Sequence, residues 1–220
     1  MPQGTSFLLM MLVSVMTAAN AIGGAAIEGK VDLTEAEKAA SIARSRYQVK
    51  AAGTVRPAEP VVAVVYLEGK FPESTENVTV QMGQRGYQFT TGVLPIRVGT
   101  TVEFPNFDDD YHNVFSYSKS KRFDLGRYRK DEKPASQKFD KAGLVKLYCE
   151  IHEHMRANIL VLETPYFTRT DTNGTFKLEG LPAGEFKLKA WVDEKLSYEK
   201  QVTLVDGKTV TVSFAGKQGE

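Results

Sequence analysis

The chain has 220 residues, with 28 basic and 27 acidic side chains and a net charge of +1, enough length for one large or two small domains. A charge so near zero leaves no electrostatic footprint for nucleic acid or for an anionic membrane surface. One cysteine excludes an internal disulfide and leaves a thiol that is either reactive or ligating.

The N-terminus carries an apolar run, Phe7 to Ala19, too short to span a bilayer. Ala19-Asn20-Ala21 follows as an A-x-A cleavage pattern, although no Lys or Arg precedes the run. Residues 1–21 are expected to be a signal peptide cut after Ala21. The mature protein is then periplasmic or otherwise exported, with no transmembrane segment. Residues 22–50 are expected to be a helical linker. From Val31 to Val49 the pattern is helical, with Asp32 or Thr34 as cap and Ala39, Ala40, Ile42 and Ala43 as a weak apolar stripe.

Short strands punctuated by turns make up the rest. Val61 to Leu67 is β-branched and ends at Gly69. Then come Val78–Val80, Val93–Val98, Thr101–Phe104, His112–Tyr117, Phe123–Tyr128, Ser136–Phe139, Leu144–Cys149 and Asn158–Leu162. About eight strands between Glu76 and Glu163 is the number of a Greek-key sandwich. Further on, Phe186, Leu188 and Ala190 alternate with lysines, and Val210, Val212 and Phe214 alternate with Thr and Ser. Such period-2 alternation gives half-buried antiparallel strands. Asp171-Thr172-Asn173-Gly174 and Asp206-Gly207 supply hairpin turns. The fold class is all-β.

The chemistry is concentrated in Tyr148-Cys149-Glu150-Ile151-His152-Glu153-His154-Met155. Cys149, His152 and Met155 place a thiolate, an imidazole and a thioether at i, i+3 and i+6. His112, in Asp110-Tyr111-His112-Asn113-Val114-Phe115, is the fourth candidate ligand. Two imidazoles, one thiolate and a weak thioether are the ligand set of a blue-copper electron-transfer site. A loop between two strands can gather the three downstream residues around one point, and Asn113 has a side-chain amide able to tie the two ligand loops together.

Phe104-Pro105-Asn106 to His112-Asn113-Val114, together with Leu147-Tyr148-Cys149-x-x-His152-x-x-Met155, resembles the cupredoxin family, and the short loop is similar to that of its amicyanin branch. The resemblance implies a cupredoxin domain over residues 76–163 holding one type 1 copper. His112, Cys149 and His152 would be its equatorial ligands and Met155 its weak axial one. Glu150, Ile151, Glu153 and His154 stand where relatives often carry prolines or apolar residues. The flanks, Ala52-Gly53-Thr54-Val55 to Gly69 and Thr170 to Phe186, resemble two halves of a carboxypeptidase-regulatory-like (transthyretin-like) β-sandwich. Residues 51–75 and 164–220 would then form one discontinuous domain around the inserted cupredoxin.

The expected function is that of a non-enzymatic carrier of single electrons between redox partner proteins. Copper delivery without a redox role is the alternative. An oxidase or nitrite-reducing enzyme needs further copper centres, which three histidines cannot furnish. Zinc at His, His and Cys with an open position lacks an evident general base. His154 is expected to be an exposed loop residue. Asp108-Asp109-Asp110 and the basic set Lys119, Lys121, Arg122, Arg127, Arg129 and Lys130 are expected to be solvated faces.

Overall fold

The computed structural model describes residues 24–37, 39–40, 54–72 and 76–215. The expected signal peptide lies outside them, as do residues 41–50 of the expected linker. Two strands, β1 (Ala25–Val31) and β2 (Val64–Glu68), come first. Eight follow: β3 (Thr79–Gln81), β4 (Val93–Arg97), β5 (Thr101–Phe104), β6 (His112–Tyr117), β7 (Arg122–Tyr128), β8 (Ala135–Lys138), β9 (Gly143–Tyr148) and β10 (Arg156–Leu162). The chain then continues through β11 (Phe167–Arg169), β12 (Thr175–Leu181), β13 (Gly184–Trp191), β14 (Ser197–Leu204) and β15 (Thr209–Phe214).

The eight middle strands form two facing sheets, β4-β10-β9-β6-β7 and β3-β5-β8. Their shared core includes Met82, Ile96, Val102, Phe104, Val114, Phe139, Val145, Leu147 and Ile159. The outer strands form the sheets β12-β1-β15 and β11-β2-β13-β14 around a second core with Ile27, Leu67, Phe176, Leu181, Leu188 and Phe214.

β10 packs on both of its faces. Ala157, Ile159 and Val161 point into the first sandwich, while Leu160 and Leu162 join Val62, Val64 and Val93 in a smaller cluster between the two. A strand covered on both faces reads as a continuous apolar run, which is why Asn158 to Leu162 lacks alternation. Trp191 packs against this bridging cluster, and Lys146 pairs with Glu194 across the junction at 2.5 Å. Glu59 accepts from Gly92 N–H at 2.6 Å and from Arg169 at 2.5 Å, tying β4 to β11.

One expectation is corrected at the N-terminus. Ala25–Val31 is not linker or helix but a strand, parallel to β15 and antiparallel to β12. Ala25, Ile27 and Val31 are buried there, and a Cβ at Gly29 would collide with the Val212 carbonyl. Glycine in a strand marks such a close backbone approach, so this edge of β1 fits only with no side chain. Helix is described only at residues 34–37 and 39–40, where the Asp32 carboxylate accepts from Thr34 N–H at 3.0 Å. Among the described residues no helix is long and apolar enough to cross a membrane.

Candidate metal centre

β6 and β9 are neighbours in the five-stranded sheet and run antiparallel, with Phe115 opposite Tyr148. The start of β6 and the end of β9 therefore share one edge of the sandwich. His112 is the first residue of β6 and Cys149 follows the last residue of β9. The chain turns tightly after Cys149, with Met155 N–H donating to His152 O at 2.8 Å, and re-enters the sheet as β10.

His112, Cys149 and His152 converge, their donor atoms all within 4.8 Å of one another. His112 Nδ1 lies 3.1 Å from His152 Nδ1, and Cys149 Sγ lies 3.9 Å from the same nitrogen. Exposure is 0% for His112, 3% for Cys149 and 7% for His152. Met155 is fully buried in the same core as Cys149.

Outer hydrogen bonds orient the donors. Asn113 Oδ1 accepts from Glu150 N–H at 2.7 Å, while its amide nitrogen donates to Asp124 at 3.3 Å. Asn113 thus joins the strand of His112 to the loop of Cys149, as its position after His112 led us to expect. Arg127 grips Glu150 from outside at 2.6 Å.

Asp108 is the functional residue that the sequence hid. Its Oδ2 lies 2.9 Å from His112 Nε2 and accepts from Tyr87 N–H at 2.9 Å; its Oδ1 accepts from Gly86 N–H at 2.7 Å. The expectation of a solvated acidic turn fails at this residue, whose side chain is only 13% exposed. A carboxylate accepts only, so the ring proton sits on Nε2 and Nδ1 is presented to the cluster. His154 is corrected too. It is half-buried, and its Nε2 donates to the Tyr87 carbonyl at 2.9 Å. The basic side chains are partly paired, Lys121 with Asp140 at 3.5 Å and Lys130 with Asp109.

The electrostatics follow from burial and partners. Burial is the strongest single influence on the Cys149 thiol and pushes its pKa up. His112 and the backbone N–H groups of Asn113, His152 and Ile151 together outweigh it, and the pKa falls below the ordinary value. Burial likewise pushes His112 down, but Cys149 and Asp108 hold it above the usual histidine range. His152 is pushed down by burial and then by the charge of His112. These groups favour a thiolate at Cys149 and a neutral ring at His152, both in the protonation state that a metal needs.

The donor set fits a soft or borderline cation. Two imidazole nitrogens facing each other at 3.1 Å leave one lone pair without use unless a proton or a cation takes it. Thiolate with two imidazoles suits copper above the other divalent first-row metals, zinc included.

Residues 155–216 match the carboxypeptidase regulatory-like domain, a span that runs from Met155 through β15. Among curated proteins none matches the chain. Among solved structures the chain is similar to a Cu-containing nitrite reductase from Thermus scotoductus SA-01. Identity there is 26% over 44% of this chain, with a TM-score of 0.38. That match takes in 25% of the nitrite reductase, so the chain spans about a quarter of its length. Amicyanin from Paracoccus versutus is 23% identical over 44% of this chain and 97% of its own, with a TM-score of 0.34. The purple cupredoxin from Nitrosopumilus maritimus is 23% identical over 39% of this chain and 100% of its own, also with a TM-score of 0.34.

Proposed function

We propose that this protein is an exported type 1 copper protein that carries single electrons between redox partner proteins and has no enzymatic activity of its own. His112 Nδ1, Cys149 Sγ and His152 Nδ1 are the equatorial donors and Met155 the weak axial one. The observation that supports this best is the convergence of two imidazole nitrogens and one thiol in a buried cluster whose orienting hydrogen bonds are already made. Copper held there supplies a one-electron couple that soft sulfur and borderline nitrogen donors tolerate in both oxidation states. The chain's own part is to keep the donors still. Asp108 fixes the His112 ring, Asn113 fixes the loop, and the burial of Cys149 keeps water from the thiolate.

His152 is the donor nearest the surface, with Asp110 Oδ2 4.0 Å from its Nε2, the exposed Ile151 next to it in sequence and the exposed Tyr111 next to Asp110. Electrons would enter and leave through its outer edge. Charges around that edge, including Glu150 and Glu153, would steer partners. A delivery protein needs donors that a receiving protein can reach, and the burial of His112, Cys149, His152 and Met155 favours the carrier.

The test is to add one equivalent of Cu(II) to the metal-free protein and record the visible spectrum. An intense thiolate-to-copper charge-transfer band, lost in Cys149→Ala, is expected. A colourless complex of normal stoichiometry contradicts the reading.

A further inference from the structure

The turn that carries Tyr87 is strained, and it is strained at the metal centre. Gln84 and Phe89 pair in an isolated antiparallel bridge, and Arg85 N–H donates to Gln88 O at 2.8 Å, closing a tight turn. Its two central residues both have positive φ, 60° at Gly86 and 58° at Tyr87. Positive φ at both positions is the mark of a type I′ turn, which favours Asn, Asp or Gly. An aromatic side chain in that region is an outlier, and Tyr87 is the only non-glycine with positive φ among the described residues. Backbone held so far from its preference persists where the surroundings over-determine it, and such sites cluster at functional centres.

Three contacts do the holding. Both N–H groups, Gly86 and Tyr87, donate to the carboxylate of Asp108, the same carboxylate that fixes His112. The Tyr87 carbonyl accepts from His154 Nε2 at 2.9 Å. The phenol ring then lies edge-on to both imidazoles, 5.0 Å from His152 and 5.8 Å from His112 between centroids. Tyr87 also packs on the core that holds Cys149 and Met155.

We infer that Tyr87 is a cover over the metal position, kept closed by Asp108 on one side and His154 on the other, and that it excludes water and outside ligands from the thiolate and the two imidazoles. The inference rests on the copper reading for its purpose but not for its geometry. It gives His154 a role: a positioning residue acting through the Tyr87 carbonyl. It also explains an aromatic residue where the turn calls for Asn or Gly. The Tyr87 ring lies against both histidines from this turn, and the backbone conformation is the cost of placing it there.

The experiment compares wild type with Tyr87→Gly, Tyr87→Phe and His154→Ala. Glycine suits the positive φ, so Tyr87→Gly removes the ring without adding backbone strain. On metal-free protein, alkylation of Cys149 by iodoacetamide is expected to be at least tenfold faster in Tyr87→Gly and faster by a smaller factor in His154→Ala. Tyr87→Phe keeps the wild-type rate. On the copper-loaded protein, azide is expected to shift the charge-transfer band of Tyr87→Gly and to leave wild type and Tyr87→Phe unchanged. Equal alkylation rates in wild type and Tyr87→Gly overturn the inference, as does an azide response in wild type equal to that of the glycine variant. A wild type without any charge-transfer band counts against the copper reading alone, because the alkylation rates still decide whether Tyr87 covers the thiol.

Discussion

Asp108 accepts from His112 Nε2–H at 2.9 Å, so the first imidazole of the centre is backed by a carboxylate. Such a pairing orients the ring and raises its basicity as a ligand. Asp108→Asn keeps an oxygen acceptor and removes the negative charge. Cu(II) affinity is expected to fall by about 10- to 100-fold, the usual cost of losing such a partner. Cu(I) affinity falls less, so the reduction potential rises. Chelator competition and voltammetry measure the two quantities, and unchanged values in both would mean that Asp108 only shapes the loop.

The proposed axial role of Met155 gives a second prediction. Met155→Gln replaces a soft thioether with a harder oxygen donor, which favours Cu(II). The variant is expected to retain copper, shift the band and lower the potential. His154→Ala should leave the band position unchanged, since its Nε2 is committed to the Tyr87 carbonyl. A spectrum remodelled by His154→Ala but silent to Met155→Gln reverses the axial assignment.

Much of the fold was legible because its signals are local. Thr101–Phe104 and His112–Tyr117 are strands with the expected bounds, and the alternating Val210, Val212 and Phe214 lie in one strand, since β-branched and aromatic residues stand next to turn formers. β1 was not legible. Gly29 interrupts its alternation, and its partners β12 and β15 lie far along the chain, so no local pattern specifies it. At the centre, the spacing of Cys149, His152 and Met155 is visible in the sequence because one short loop carries all three. Asp108 is not, because three consecutive aspartates look alike until the turn at Gly86 and Tyr87 offers two N–H groups to one of them. His154 was misread for the same reason: its partner is a backbone carbonyl, which has no identity in a sequence.

Asn113 links the two halves of the site through a backbone group rather than another side chain. Asn113→Ala leaves Glu150 N–H without its acceptor in a part-buried position. The expected loss of stability in the metal-free protein is about 1–3 kcal/mol by chemical denaturation. Copper should also escape to a chelator faster, because the loop bearing Cys149 is no longer tied to β6. An unaltered unfolding midpoint would show that the amide is dispensable.

The junction between the sandwiches carries a pH prediction. Burial pushes the Glu59 carboxyl up more strongly than any other single influence. The hydrogen bonds from Arg169, Gly92 N–H and Thr91, with the Arg169 charge, outweigh it and hold the pKa below 4.5. A carboxyl lowered on folding stabilises the folded state in full above its unfolded pKa, and that stability is lost as pH falls through the folded pKa. Glu59→Gln is therefore expected to be less stable than wild type near neutrality, with the gap closing as the pH drops below 4.5. A gap that stays constant across that range would remove Glu59 from the acid response.

An electron carrier keeps its metal through every redox cycle. The most direct measurement is repeated reduction and reoxidation of the one-copper form, following the charge-transfer band and the bound copper together. The band is expected to bleach on reduction and to return in full on each cycle, with copper retained throughout. Loss of copper on reduction, or a band that does not return, would contradict it.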